Sequence, residues 1–70
     1  GTPVKAALPG NVLKVLVSAG DSIAEGDVIA VVEAMKMETE IKSPVSGTVK
    51  SVEIEVGNKV QTGQVLVTIG

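Results

Sequence analysis

The chain repeats itself. A shift of 37 positions lays its first half on its second without a gap. Gly10 falls on Gly47, Gly20 on Gly57 and Gly26 on Gly63. Lys5 meets Lys42, Val12 meets Val49, Val15 meets Val52, Ile23 meets Val60, Val28 meets Val65, and Asp21 meets Asn58. Three glycines in register weigh more than matched valines, because glycine marks backbone positions that other residues fill poorly. A chain of 70 residues is also near the lower limit of a stable domain. The repeat therefore predicts one domain (residues 1–70) made of two similar halves, related by a pseudo-two-fold axis.

Each half reads as β structure. Strands are expected over Val4–Ala7, Asn11–Val17, Val28–Glu33, Met37–Lys42, Thr48–Val56 and Val65–Ile69. Turn signals separate them at Pro9-Gly10, Gly20-Asp21, Gly26-Asp27, Pro44 to Gly47, Gly57-Asn58 and Gly63-Gln64. Ile23 stands as a lone apolar anchor in a polar loop. Helical periodicity is sustained nowhere, and the close spacing of turns is that of a small sandwich or barrel. Gly1-Thr2-Pro3 resembles the end of a linker, so the domain is expected to be one module of a longer chain. The core must be aliphatic: Phe, Tyr, Trp and Cys are all absent, so no disulfide or thiolate site is available.

The halves share an irregularity. Val15 and Val17 have one parity and Val12 the other; Val52, Ile54 and Val56 have one parity and Val49 the other. Matched phase slips predict a β-bulge near Leu13-Lys14 and near Lys50-Ser51. Each bulge would bend a long strand so that it serves both faces of a flattened barrel.

The repeat also forces a turn at the centre. Val28–Glu33 corresponds to the last strand, and Met37–Lys42 runs to the counterpart of Val4-Lys5. One half therefore ends and the other begins across Ala34-Met35-Lys36-Met37. So few intervening residues make a tight hairpin, which favours positive φ at both central positions. Met35 and Lys36 are poor residues for that conformation. Local violations of this kind concentrate at functional sites.

The ordinary reading of a lysine on a turn is a solvated surface group, and Lys5, Lys14, Lys42, Lys50 and Lys59 take it. Lys36 differs. It lies at the symmetry centre, on a turn without turn residues, between the only two methionines. Methionine usually fills gaps in a core; at a hairpin tip, Met35 and Met37 would form a small apolar recognition patch. Lys36 is not expected to be catalytic. A nucleophilic lysine needs burial or nearby cations, whereas its neighbours Glu33, Glu38 and Glu40 are carboxylates, and no His, Cys, Tyr or Arg is present to act as acid, base or clamp. Asp21, Glu25, Asp27, Glu53 and Glu55 read as exposed strand and loop positions, without calcium-loop spacing. A net charge of −2, with no arginine and no aromatic residue, excludes the basic patch and stacking surface of a nucleic-acid binder. No apolar run approaches a membrane span, so no direct membrane insertion is expected. What remains is a lysine presented for covalent modification.

At this point the motif Glu33-Ala34-Met35-Lys36-Met37 resembles the attachment site of biotinyl domains. These are the biotin carboxyl carrier modules of biotin-dependent carboxylases, decarboxylases and transcarboxylases. The resemblance extends over essentially the whole chain, through the spaced glycines, the Gly20-Asp21 and Gly26-Asp27 turns, the Ser43-Pro44 to Gly47 turn and the closing Val65–Ile69 strand. It implies an all-β fold, a flattened barrel of two four-stranded antiparallel sheets. It implies that Lys36 carries biotin, attached by a biotin protein ligase. It further implies that the swinging arm shuttles a carboxyl group between the active sites of biotin carboxylase and of carboxyltransferase or decarboxylase partners. Met35 and Met37 match the flanking methionines, and Ala34, Glu33 and Glu38 complete the recognition segment. No catalytic residue and no metal ligand is implied. Equal spacing of Gly10–Gly20 and Gly47–Gly57 leaves no room for the "thumb" insertion of some acetyl-CoA carboxylase carriers. The domain is thus similar to thumbless carriers of the pyruvate carboxylase, transcarboxylase and oxaloacetate decarboxylase kinds. Gly1-Thr2-Pro3-Val4 adds a weaker likeness to sodium-pumping oxaloacetate decarboxylases.

Two alternatives follow from the same fold. A lipoyl-type carrier usually has Asp-Lys-Ala around its modified lysine, from which this chain departs on both sides of Lys36. An unmodified barrel-sandwich adaptor has no use for a lysine held between methionines. The expected compartment is the cytoplasm, with a parent complex able to associate with a membrane.

Overall fold

Aliphatic strands and glycine turns give eight short strands: β1 (Thr2–Lys5), β2 (Gly10–Val15), β3 (Ser22–Ile23), β4 (Val28–Ala34), β5 (Met37–Lys42), β6 (Gly47–Val52), β7 (Lys59–Val60) and β8 (Val65–Ile69). They are seen in a computed structural model that describes all 70 residues. The strands form two four-stranded sheets, β1-β8-β6-β3 and β5-β4-β2-β7. Every pairing is antiparallel.

The sequence repeat is a structural repeat. Moving β2 and β3 along by the repeat gives β6 and β7 to the residue, and the register follows. Val12 faces Val32 in one sheet as Val49 faces Ile69 in the other. Gly10 faces Val60 as Gly47 faces Ile23. The expected bulges are present: the register slips between Val12 and Lys14 and between Val49 and Ser51, leaving Leu13 and Lys50 as the extra residues.

Four turns repeat as well. In Ser18–Asp21, Ala24–Asp27, Glu55–Asn58 and Gln61–Gln64, the fourth N–H donates to the first carbonyl at 3.0 Å. The third residue is always glycine with positive φ, at 97, 90, 93 and 84° for Gly20, Gly26, Gly57 and Gly63. That is the type II arrangement, which asks for glycine at this place. The fourth side chain closes each loop by accepting from the first N–H: Asp21 and Asp27 at 2.8 Å, Asn58 at 2.8 Å and Gln64 at 3.0 Å. The carboxylates of the first half are replaced by amides in the second with the bond unchanged.

The core lies between the sheets and is built from repeat-related pairs: Val12 with Val49, Ile23 with Val60, Ile29 with Leu66, Ala30 with Val67, and Val32 with Ile69. Burying an aliphatic side chain of this size is worth about 1.5–3 kcal/mol, and a domain with no other staple depends on it. Ser43 is the only buried polar residue. It is the counterpart of buried Ala6, and its hydroxyl donates to the Val45 carbonyl.

Several boundaries differ from expectation. Thr2 and Pro3, expected as the end of a linker, pair with Ile69 and Thr68 in β1. Proline is tolerated because β1 is an edge strand. β1 stops at Lys5, short of the expected Ala7. Ile23 and Val60 are buried anchors that also pair, in the two-residue strands β3 and β7. β2 and β6 end at Val15 and Val52, because the chain then leaves the sheet for a turn. One backbone bond survives beyond each end, from Leu16 N–H to the Ile29 carbonyl at 2.9 Å and from Glu53 N–H to the Leu66 carbonyl at 2.8 Å. Val56 shares parity with buried Ile54 yet is 65% exposed, because it lies in the turn itself.

The glycines separate two kinds of constraint. A Cβ at Gly20 or Gly57 would meet nothing within 4 Å. Gly20→Ala and Gly57→Ala are therefore expected to cost about 1–2 kcal/mol each, from backbone strain alone. Gly10→Ala is expected to cost more, since its methyl would collide with the Glu33 carbonyl of β4. Urea unfolding of the three variants measures the difference; equal losses would contradict the close approach of β2 to β4.

Candidate functional site

β4 is the most confined strand of the molecule. Ile29, Ala30, Val31 and Val32 are all buried, and β4 pairs with β2 on one side and β5 on the other. A slip of one residue would turn its core side chains outward, so the register is fixed. In that register Ala34 faces Met37. Only Met35 and Lys36 remain to make the turn.

They make it in the left-handed region, with φ of 54° at Met35 and 67° at Lys36. Both central residues with positive φ is the type I′ hairpin turn, normally the place of Asn-Gly. Left-handed backbone costs a residue other than glycine about 1–2 kcal/mol. The core of β4 supplies the force that holds this conformation, and the expectation from the repeat is met. Lys36 is exposed. Met35 and Met37 are 79% and 70% exposed, the two most exposed large apolar side chains of the chain. The expected patch is thus an exposed apolar collar on both sides of an ammonium group.

The remaining members of the segment divide. Glu33 and Glu38 are exposed and directly opposite one another across the hairpin, with Asn11 on the other side of Glu33. Like charges facing across strands weaken the pairing; here both carboxylates stand at the base of the tip. Ala34 was expected among the recognition residues, but it is only 5% exposed. It has the parity of Val32 and lies with Thr39, Ile41, Ala6 and Leu8 around a small apolar pocket. Its methyl packs inward. Its parity with Val32 and Ala30 is the sequence signal for this. No three His, Cys, Asp or Glu side chains come together as a metal cage, so the lysine is the chemical group at this end.

The comparisons with known proteins fit this geometry. Residues 2–69 match the family described as biotin-requiring enzyme. The chain is 46% identical over 66 residues to the pyruvate carboxylase of Bacillus subtilis (strain 168), covering 94% of this chain and 6% of that one. It is 44% identical over 64 residues to the biotin carboxyl carrier protein of Streptococcus mutans, covering 91% of this chain and 49% of that protein. The chain thus spans about half the length of the second relative and a small part of the first. Among solved structures, the urea carboxylase of Kluyveromyces lactis superposes with a TM-score of 0.90 at 26% identity, over 97% of this chain and 6% of that one.

The turn strain is open to measurement. Replacing Met35-Lys36 by Asn-Gly puts the preferred residues on the same backbone, and is expected to stabilise the domain by about 1–2 kcal/mol. Chemical denaturation reads the gain; a loss of stability would mean that the two side chains support the turn in some way the backbone angles do not reveal.

Proposed function

This chain belongs to the biotin-requiring enzyme family, and on that premise we propose that Lys36 is the residue to which its biotin is joined. The domain is a biotin carboxyl carrier and does no chemistry of its own. A lipoyl-type carrier and an unmodified structural adaptor are not favoured.

The observation that carries the assignment is the tip of the β4–β5 hairpin. Lys36 is one of six lysines, and it alone occupies a forced turn between two exposed methionines. The attachment forms an amide between Lys36 Nζ and the biotin carboxyl carbon. The ammonium first gives up one proton to become the free amine; the amine attacks the activated carboxyl carbon, the leaving group departs with its bonding electron pair, and the nitrogen loses a second proton. Bound biotin supplies a ureido ring that takes up and gives away a carboxyl group. The chain's own contribution is position. The locked register keeps Nζ at the apex, clear of both sheets. The tether keeps the ring at high local concentration beside its partners.

The partners belong to the proposal too. A biotin protein ligase loads Lys36, reading the apolar collar of Met35 and Met37 together with Glu33 and Glu38. Carboxylase and carboxyltransferase or decarboxylase domains then use the loaded arm, as suits a module of a larger enzyme. No helix of the structure is long and apolar enough to cross a membrane; the cytoplasm suits this chemistry, within a complex that can associate with a membrane.

Intact mass after co-expression with a biotin protein ligase tests the assignment. One biotinyl addition on the wild type and none on Lys36→Arg is the expected result. An addition that survives the substitution would place the attachment elsewhere.

A further inference from the structure

Beside the Lys36 tip lies a groove of about 470 Å³, within the usual size range of small-molecule sites, ~300–1,000 Å³. Three separate segments wall it: the tip with Glu33, Pro9 and the first residues of β2 with Asn11, and β7 with Lys59 together with Gln61 just after it. It is not part of the repeated fold. At the related place in the other half, Ser46 takes the position of Pro9, and its hydroxyl accepts from the Glu25 N–H at 2.9 Å. That bond ties the Ala24–Asp27 turn to the start of β6. Proline offers no hydroxyl, so the equivalent N–H of Thr62 has no such tie and the Gln61–Gln64 turn stands free of β2. Neither of the other two cavities is lined by Ser46, Gly47 or Thr48, the counterparts of Pro9, Gly10 and Asn11. A second groove, of about 420 Å³, opens against Ser22 and Ile23, the counterparts of Lys59 and Val60; the groove beside the tip is the one whose wall includes the proposed attachment lysine.

The lining suits one ligand chemistry. Asn11 and Gln61 are exposed, and their side-chain amides hold no hydrogen bond within the protein. Each offers an acceptor oxygen and a donor NH₂. Glu33 adds a carboxylate acceptor and Lys59 an ammonium donor. A cyclic urea presents the complement, two N–H donors and one carbonyl acceptor on a flat ring. We propose that this groove is a resting site for the ureido head of the biotin carried on Lys36. This rests on the assignment of Lys36 as the attachment residue. Because the ring is tethered at the groove wall, its local concentration is on the order of millimolar, and weak polar contacts suffice for substantial occupancy. The groove then holds the ring close to the domain between visits to partner sites.

Amide chemical shifts decide the matter. Spectra of the unmodified and the biotinylated domain are compared, with intact mass confirming the load. Shifts are expected at Asn11, Lys59, Val60 and Gln61 as well as at residues 33–38. The first group is expected to vanish in the loaded Asn11→Ala, Gln61→Ala variant, whose two sites are exposed and leave the core untouched. A loaded domain whose shifts stay within residues 33–38, or whose groove shifts persist in the variant, overturns the resting site alone. A domain that takes no biotin on Lys36 overturns the attachment assignment and the resting site with it.

Discussion

A strand that is buried on its faces and paired along both edges cannot choose its register. β4 is that strand, and the tip inherits its constraint. Ile29 and Ala30 are fully buried and Val32 nearly so, so a slip would expose several core side chains at once. Against such a cost, two left-handed residues are a minor term. The unusual backbone at Met35 and Lys36 is therefore a consequence of packing elsewhere, and evolution is free to choose the two side chains for what they present. This is how a domain without a reactive constellation keeps one amine in a defined place.

Much of this was legible before any coordinates. Glycines in register gave the two halves. A shared parity slip located both bulges, and the symmetry required a central hairpin with positive φ at residues poorly suited to it. What was not legible follows from length and from context. β3 and β7 have two residues each, too few for any periodicity, so Ile23 showed as an anchor, and Val60 as its counterpart, but neither as a strand. Pro3 looks like a strand breaker until it is known to lie on an edge. Val56 kept the parity of a core residue after its chain had left the sheet. The burial of Ala34 was hidden by its place in a motif, although its parity with Val32 was there to read. The groove beside the tip depends on three segments distant in sequence, and no local pattern could announce it.

The repeat also shows what the fold requires and what it tolerates. The type II turns keep their glycines in all four copies, while their capping side chains change from Asp to Asn or Gln with the hydrogen bond kept. Glycine answers to the backbone and is fixed; the cap needs only an oxygen at the right reach. The edge strand β5 shows another compromise. Its residues are mostly exposed, and Glu38, Glu40 and Lys42 place charge along an edge that could otherwise recruit a foreign strand.

The pairing of Thr2 with Ile69 has one more consequence. β2 starts beside the tip at Gly10 and runs away from it, and the turn that follows bonds to Val49, itself the partner of Ile69. Residues 2 and 69 therefore sit together at the pole opposite Lys36, on a body 30 Å long and 18 Å wide. Anything spliced to either residue would pull on that pole and leave the other clear. The barrel then behaves as a rigid crank: a small pivot at the spliced pole sweeps Lys36 through an arc whose radius is close to the length of the domain.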